Sequence, residues 1–143
     1  MIKIKLMRTI SGKDLVNEFE KKYKTLKNLK KIFLEDNENM ELEMYIGDWE
    51  YFLDHPDEIT EQEKILYSEK PHFTEIDLEL LSYIKNYEVK SITDLAKYFN
   101  KDVSTIQKSV KKLKERGIIE LEEGKPNNRK TPIFSYDKIE IAI

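Results

Sequence analysis

Apolar residues recur along this chain with two periods, and the switches between them mark its elements. Ile2, Ile4 and Leu6 alternate with Lys3, Lys5 and Met7, the pattern of a half-buried strand. From Ser11 the spacing lengthens: Ser11 is placed to cap a helix in which Leu15, Phe19, Leu26 and Leu29 are available for burial and Lys21, Lys22, Lys24, Lys27, Lys30 and Lys31 face water. Met40, Leu42, Met44 and Ile46 alternate with Glu41, Glu43 and Tyr45, which predicts a second strand. Trp49, Phe52 and Leu53 then predict a short amphipathic helix, and Thr60 with Glu63 marks the start of a further one.

The second half of the chain carries denser punctuation. Thr74 with Asp77 forms a cap pattern ahead of Ile76, Leu80, Leu81 and Ile84, which predicts a helix ending near Tyr87, with residues 86–90 as a short connection. Ser91, followed three residues on by Asp94, caps a second helix over 92–99 that buries Leu95, Ala96 and Phe99. Asn100 and Lys101 make the turn, Asp102 is the expected N-cap of a third helix over 103–116, and Gly117 stands where a left-handed residue ends it. Ile118, Ile119 and Leu121 begin an extended run, Pro126, Asn127 and Asn128 supply turn chemistry, and Pro132 onward resumes it, which predicts a hairpin. Ile139, Ile141 and Ile143 alternate with Glu140 and Ala142, so a last strand is expected to pair with Ile2, Ile4 and Leu6. That pairing sets Lys3 or Lys5 near Glu140, within one chain or between two.

Three helices followed by a hairpin are the layout of a winged helix-turn-helix. In the third helix Ile106, Val110 and Leu113 form the apolar stripe, so Ser104, Thr105, Gln107, Lys108 and Lys111 point away from it. Ser, Thr and Gln exchange hydrogen bonds with base edges, while Lys108, Lys111, Lys112 and Lys114 suit phosphates or guanine acceptors. Lys125, Asn128, Arg129 and Lys130 crowd the hairpin loop, where a basic tip reaches an adjacent groove or its phosphates. A Lys-rich helix face is also what an ordinary solvated helix shows, and a basic turn is also a solubilising one. The combination of turn spacing, helix face and hairpin is what points to double-stranded DNA.

Residues 74–143 resemble the MarR-like winged helix-turn-helix transcriptional regulators, and more narrowly a family of small archaeal and bacterial DNA-binding, antitoxin-like proteins. The resemblance is carried by Ser91-Ile92, Asp94-Leu95-Ala96, Asp102-Val103-Ser104, Val110-Lys111, Leu113, the Gly117-Ile118 exit and the ending from Tyr136 to Ile141. It implies an initial short strand and helix, and a role in transcription regulation with a toxin-like protein as partner. The segment 58–73 is longer than the family's usual connection, so the resemblance says less about the N-terminal half.

The expected architecture is therefore α+β. Residues 1–58 form an N-terminal strand-helix-strand extension for dimerisation or partner binding, 59–73 a connecting helical segment, and 74–143 the winged domain. Length suits one ordinary domain or a small winged domain with such an extension. The net charge of −3 argues against a polyanionic partner until its distribution is read. Residues 1–33 hold 10 basic and 3 acidic side chains, 34–82 hold 2 and 16, and 83–143 hold 13 and 9. Within about a Debye length of 8 Å a phosphate responds to the local patch rather than to the total.

Other chemistries find little support. With no Cys there is neither disulfide nor thiolate chemistry. The only histidines, His55 and His72, lack metal-pair spacing, no glycine loop cradles a phosphate, and no nucleophile stands beside a base. Tyr and Trp residues at helical or strand spacing are expected in the core. The expectation is a cytoplasmic, non-enzymatic protein with no cofactor or metal and no membrane segment. It acts as a homodimer on double-stranded DNA or, as the second reading, as a protein-interaction module on the same fold.

Overall fold

The computed structural model describes residues 1–70, 72–123 and 130–143. Its elements run β1 (Ile2–Ser11), α1 (Gly12–Tyr23), α2 (Leu26–Glu35), α3 (Met40–Asp54), β2 (Ile59–Ser68), α4 (Glu75–Asn86), α5 (Ile92–Phe99), α6 (Val103–Glu115), β3 (Glu120–Glu123), β4 (Lys130–Ile133) and β5 (Lys138–Ala142), an α+β architecture. One sheet has the order β2-β1-β5 and a second pairs β3 with β4. The chain divides into two compact units, residues 9–62 and residues 1–8 with 63–143. This division differs from a cut near residue 58, because it falls inside β1 and inside β2.

The unit of residues 9–62 is built on α1, α2 and α3. The single helix expected after Ser11 is two: Lys24 adopts a positive φ of 72° that ends α1. Thr25 then caps α2, its hydroxyl accepting from the Asn28 N–H, while the Asn28 amide donates to the Tyr23 carbonyl at 2.7 Å. The strand expected over Met40, Leu42, Met44 and Ile46 is instead the start of the 15-residue helix α3, which also absorbs the short helix expected at Trp49. Asn39 decides it: its side-chain oxygen accepts from the N–H groups of Glu41 and Leu42, and both first-turn glutamates favour the positive end of the helix dipole. Leu42, Ile46, Trp49 and Phe52 then fall on one buried face, leaving Met40 79% exposed. Trp49 stacks on Phe19 with ring centroids 5.6 Å apart. Gly12 is required by close approach, since its N–H donates to the Glu58 carbonyl and a Cβ there would lie 2.5 Å from the His55 carbonyl oxygen.

The helix expected from Thr60 and Glu63, and with it the connecting helical segment 59–73, is also corrected: residues 59–68 are the strand β2. Ile59, Thr60, Ile65 and Tyr67 are β-branched or aromatic, and a neighbouring strand offers their backbone a ladder that an isolated cap pattern cannot match.

In the second unit, β1 and β5 are antiparallel in one chain, with Lys5 opposite Glu140, Ile4 opposite Ile141 and Leu6 opposite Ile139, as the two alternating ends predict. Ile4 and Leu6 lie in a core with Leu80, Leu81, Ile84, Leu95, Ile106, Val110, Leu113 and Ile118. Thr74 and Asp77 complete a reciprocal capping box on α4, and Ser91 accepts from the Asp94 N–H at the start of α5. Asn100 ends α5 in the left-handed region at φ 52°. Asp102 precedes α6 with an extended backbone but makes no side-chain cap; its carbonyl accepts from Thr105 and Ile106 instead. In the hairpin Leu121 lies opposite Pro132, and the turn expected at Pro126, Asn127 and Asn128 lies outside the described residues.

Gly117 closes α6 at φ 76°, and its carbonyl accepts from the Lys64 ammonium at 3.1 Å. A Cβ there would lie 3.3 Å from the flexible end of Lys64 and in ordinary contact with Leu66 at 3.8 Å, so the strain falls on the backbone. Gly117→Ala is therefore expected to lower stability by about 1–2 kcal/mol, measured by urea denaturation. Gly117→Asn is expected to cost less, because Asn tolerates the left-handed region better.

Candidate nucleic-acid interface

The burial pattern of α6 separates its two faces. Ile106 and Leu113 are fully buried and Val110 nearly so, which fixes the rotation of the helix against α4 and α5. Ser104, Thr105, Gln107, Lys108, Lys111 and Lys114 are all exposed, so five of the residues expected to face a ligand share one solvent-facing surface with Lys114. Thirteen residues at 1.5 Å each make this face about 20 Å long. Lys111 and Glu115 approach to 3.9 Å, but both are well exposed and such a pair holds the lysine weakly. Lys101, exposed in the turn before the helix, extends the cationic surface and was not singled out by helix periodicity because it precedes the helix.

Lys112 stands apart from that set. Its ammonium lies 2.6 Å from the Oδ2 of Asp77, a carboxylate with no exposed surface, and its side chain is only 38% exposed. Burial would raise the Asp77 pKa, yet hydrogen bonds from Lys112 and from the Thr74 N–H and hydroxyl, with the lysine charge, hold it below the ordinary aspartate value. The other oxygen, Oδ1, is buried without a hydrogen-bond partner among the described residues. Lys112 therefore ties α6 to the N-terminus of α4. Sequence shows Asp77 only as a cap residue, since the crossing of two helices 35 positions apart leaves no local signal.

Arg116 is likewise engaged: its guanidinium donates to the His72 carbonyl and sits 4.4 Å from the centre of the Phe73 ring. Of the hairpin residues, Lys130 is exposed at the start of β4; Lys125, Asn128 and Arg129 lie outside the described residues. Not every tyrosine is in the core as expected. Tyr23 is buried, whereas Tyr87 is 61% and Tyr98 60% exposed. Among the described residues, no group of three or more His, Asp or Glu side chains is placed to hold a metal ion, and no helix is long and apolar enough to cross a membrane.

The architecture is thus an α+β protein whose last helix presents a polar, cationic face. A family model described as HVO_A0114 matches residues 72–141, which contain that helix, and over this stretch the chain is similar to that family. No curated protein and no solved structure matches the chain.

Proposed function

We propose that this protein is a winged helix-turn-helix regulator of transcription that binds double-stranded DNA, with α6 as the recognition helix in the major groove. The observation that carries the reading is the solvent-facing surface of α6, where Ser104, Thr105 and Gln107 stand beside Lys108 and Lys111. Short polar side chains read base edges there, and the lysines neutralise phosphates. Three helices followed by the β3–β4 hairpin are the order of a winged domain, and Lys130, together with Lys125, Asn128 and Arg129 just before it in sequence, serves as the wing contact. A single helix of this length covers few base pairs, so a homodimer on symmetric half-sites completes the reading. Lys112 is left out of the contact set because Asp77 holds its ammonium.

Salt-dependent binding to a duplex from the DNA upstream of the protein's own coding sequence tests this. Lys111→Ala is expected to weaken binding to all duplexes alike and to flatten the log-log salt slope by about 0.9. Gln107→Ala is expected to narrow the preference for the bound sequence over a scrambled one by about tenfold, with little change in slope. If both variants bind as the unaltered protein does, α6 is not the DNA-contacting element.

A further inference from the structure

Helix α3 is apolar on two opposite sides. Leu42, Trp49 and Phe52 are buried against α1 and α2, which accounts for one side. On the other, Met40, Met44, Gly47 and Tyr51 recur at spacings of four, three and four residues, the repeat of a seam that packs on another helix. All four are exposed, Met44 keeping 55% and Tyr51 45% of its surface in water. Tyr51 is held at the end of this stripe, its ring resting on His55 and its hydroxyl donating to Glu58. A surface helix ordinarily carries one apolar stripe, so the second asks for a partner.

Gly47 points to a helix as that partner. It stands in the middle of α3, where glycine weakens a helix relative to alanine. Its φ is not positive, and a Cβ there would meet nothing within 4 Å, so no contact in the chain requires the missing side chain. A second backbone approaching closely would require it.

Charge says which helix. Glu43, Glu50 and Asp54 run beside the stripe, so two α3 helices laid face to face would set like charges together. The neighbouring α2, joined to α3 by residues 36–39, is the complement: Lys27, Lys31 and Leu34 share an exposed face at i, i+4 and i+7. Lys27 stands in a first turn with no acidic residue, and Asp54 in a last turn with no basic one. Both oppose the helix dipole, so neither charge serves its own helix. The two faces meet along one seam, where Lys30 reaches Glu50 at 2.9 Å.

We propose that two copies of this chain pair through their α2–α3 hairpins, the outward face of α3 in one protomer lying on the outward face of α2 in its partner, and the reverse. A two-fold axis along the α2–α3 seam makes both contacts at once. It brings Leu34 of the partner subunit beside Met44 and Gly47, and Lys27 of the partner subunit towards Glu50 and Asp54. This pairing names the contact behind the homodimer of the DNA reading, yet it is tested without DNA, so either can fail alone.

Sedimentation equilibrium of the full chain without DNA is the test. At about 100 μM the parent is expected at twice the 17.1 kDa mass of one chain. Gly47→Gln, at a position open in the single chain, is expected to weaken association by about tenfold or more while its far-ultraviolet circular dichroism stays that of the parent. Charge reversal separates this pairing from other dimers. Lys27→Glu with Lys31→Glu, and Glu50→Lys with Asp54→Lys, are each expected to be monomeric alone, and an equimolar mixture of the two to form a heterodimer. A monomeric parent overturns the proposal, as does a Gly47→Gln chain that associates like the parent. Reversed chains that dimerise alone overturn it too, as does a mixture that stays monomeric while both keep their helix content. Should either reversed chain lose helix, the Gly47→Gln comparison decides. A parent that dimerises in this way but binds no duplex upholds the pairing and sinks only the regulator reading.

Discussion

Truncation to residues 74–143 is expected to abolish cooperative folding of the unit formed by residues 1–8 and 63–143, even though every helix of that unit and the β3–β4 hairpin lie within the fragment. The missing pieces are in the first eight residues and in β2. Ile4 is 1% and Leu6 0% exposed in the core with Leu80, Leu95 and Leu113, and Leu66 packs against the same cluster. Removing a buried Leu or Ile side chain costs about 2–5 kcal/mol. Loss of all three, together with the β1 ladder on which β5 pairs, reaches the whole stability of a typical domain, about 5–15 kcal/mol. The fragment should therefore show no sigmoidal thermal transition by circular dichroism and little dispersion in its amide NMR spectrum. In the full chain, Leu6→Ala should lower the melting temperature by roughly 10 °C. A fragment that melts sharply, at the temperature of the same unit in the full chain, would show that β1 is dispensable.

Replacing Lys112 by Met is expected to destabilise the protein by about 2–3 kcal/mol at pH 7. A fully buried broken pair costs about 3–5 kcal/mol, and the partial exposure of Lys112 screens part of that here. The penalty arises on Asp77, which stays buried with its charge while one partner is gone. The pH dependence identifies the cause. In the parent protein the Asp77 pKa is depressed below 3.8, so the pair's contribution is present above that pH and is lost as pH falls through the folded-state value. In the variant, burial faces only the Thr74 hydrogen bonds and the carboxyl pKa rises. Urea denaturation should therefore show the gap between parent and variant shrinking as pH is lowered from 7 into the acid range. Adding Asp77→Asn to Lys112→Met should recover much of the loss, because the cap to Thr74 is kept without a buried charge. A gap that is constant with pH would assign the loss to packing of the lysine stem instead.

This role for Lys112 bears on any test of the proposed DNA contact by α6. A Lys112→Ala variant that binds poorly reports a damaged α4–α6 contact before it reports a lost phosphate contact. Lys111, one residue earlier and exposed, is the informative position.

The parts of the fold that were legible in the sequence are those fixed by near neighbours. Thr74 with Asp77 and Ser91 ahead of Asp94 read correctly as helix starts, as Gly117 did as a stop, because each cap is made with atoms two to four residues away. The two faces of α6 were legible for the same reason: a 3.6-residue period decides which side chains share a face. Met40 to Ile46 misled because four alternating apolar residues fit a strand as well as a helix, and Asn39 with the acidic first turn settled it. Thr60 and Glu63 misled in the other direction, since a cap motif means nothing where a neighbouring strand takes the backbone hydrogen bonds.

By itself the sequence determined the caps of α1, α4 and α5, the rotation of α6 and the alternation of the two chain ends, all of which depend on contacts within a few residues or on a simple repeat. Tertiary structure alone decided that Ile4 and Leu6 belong to the core of the unit formed by residues 1–8 and 63–143, that Lys112 is spent on Asp77 and that Tyr83 of α4 meets Tyr98 and Phe99 of α5. Each of these joins positions from different elements, and hydrophobic burial, which drives such meetings, has no direction or range that a one-dimensional pattern records.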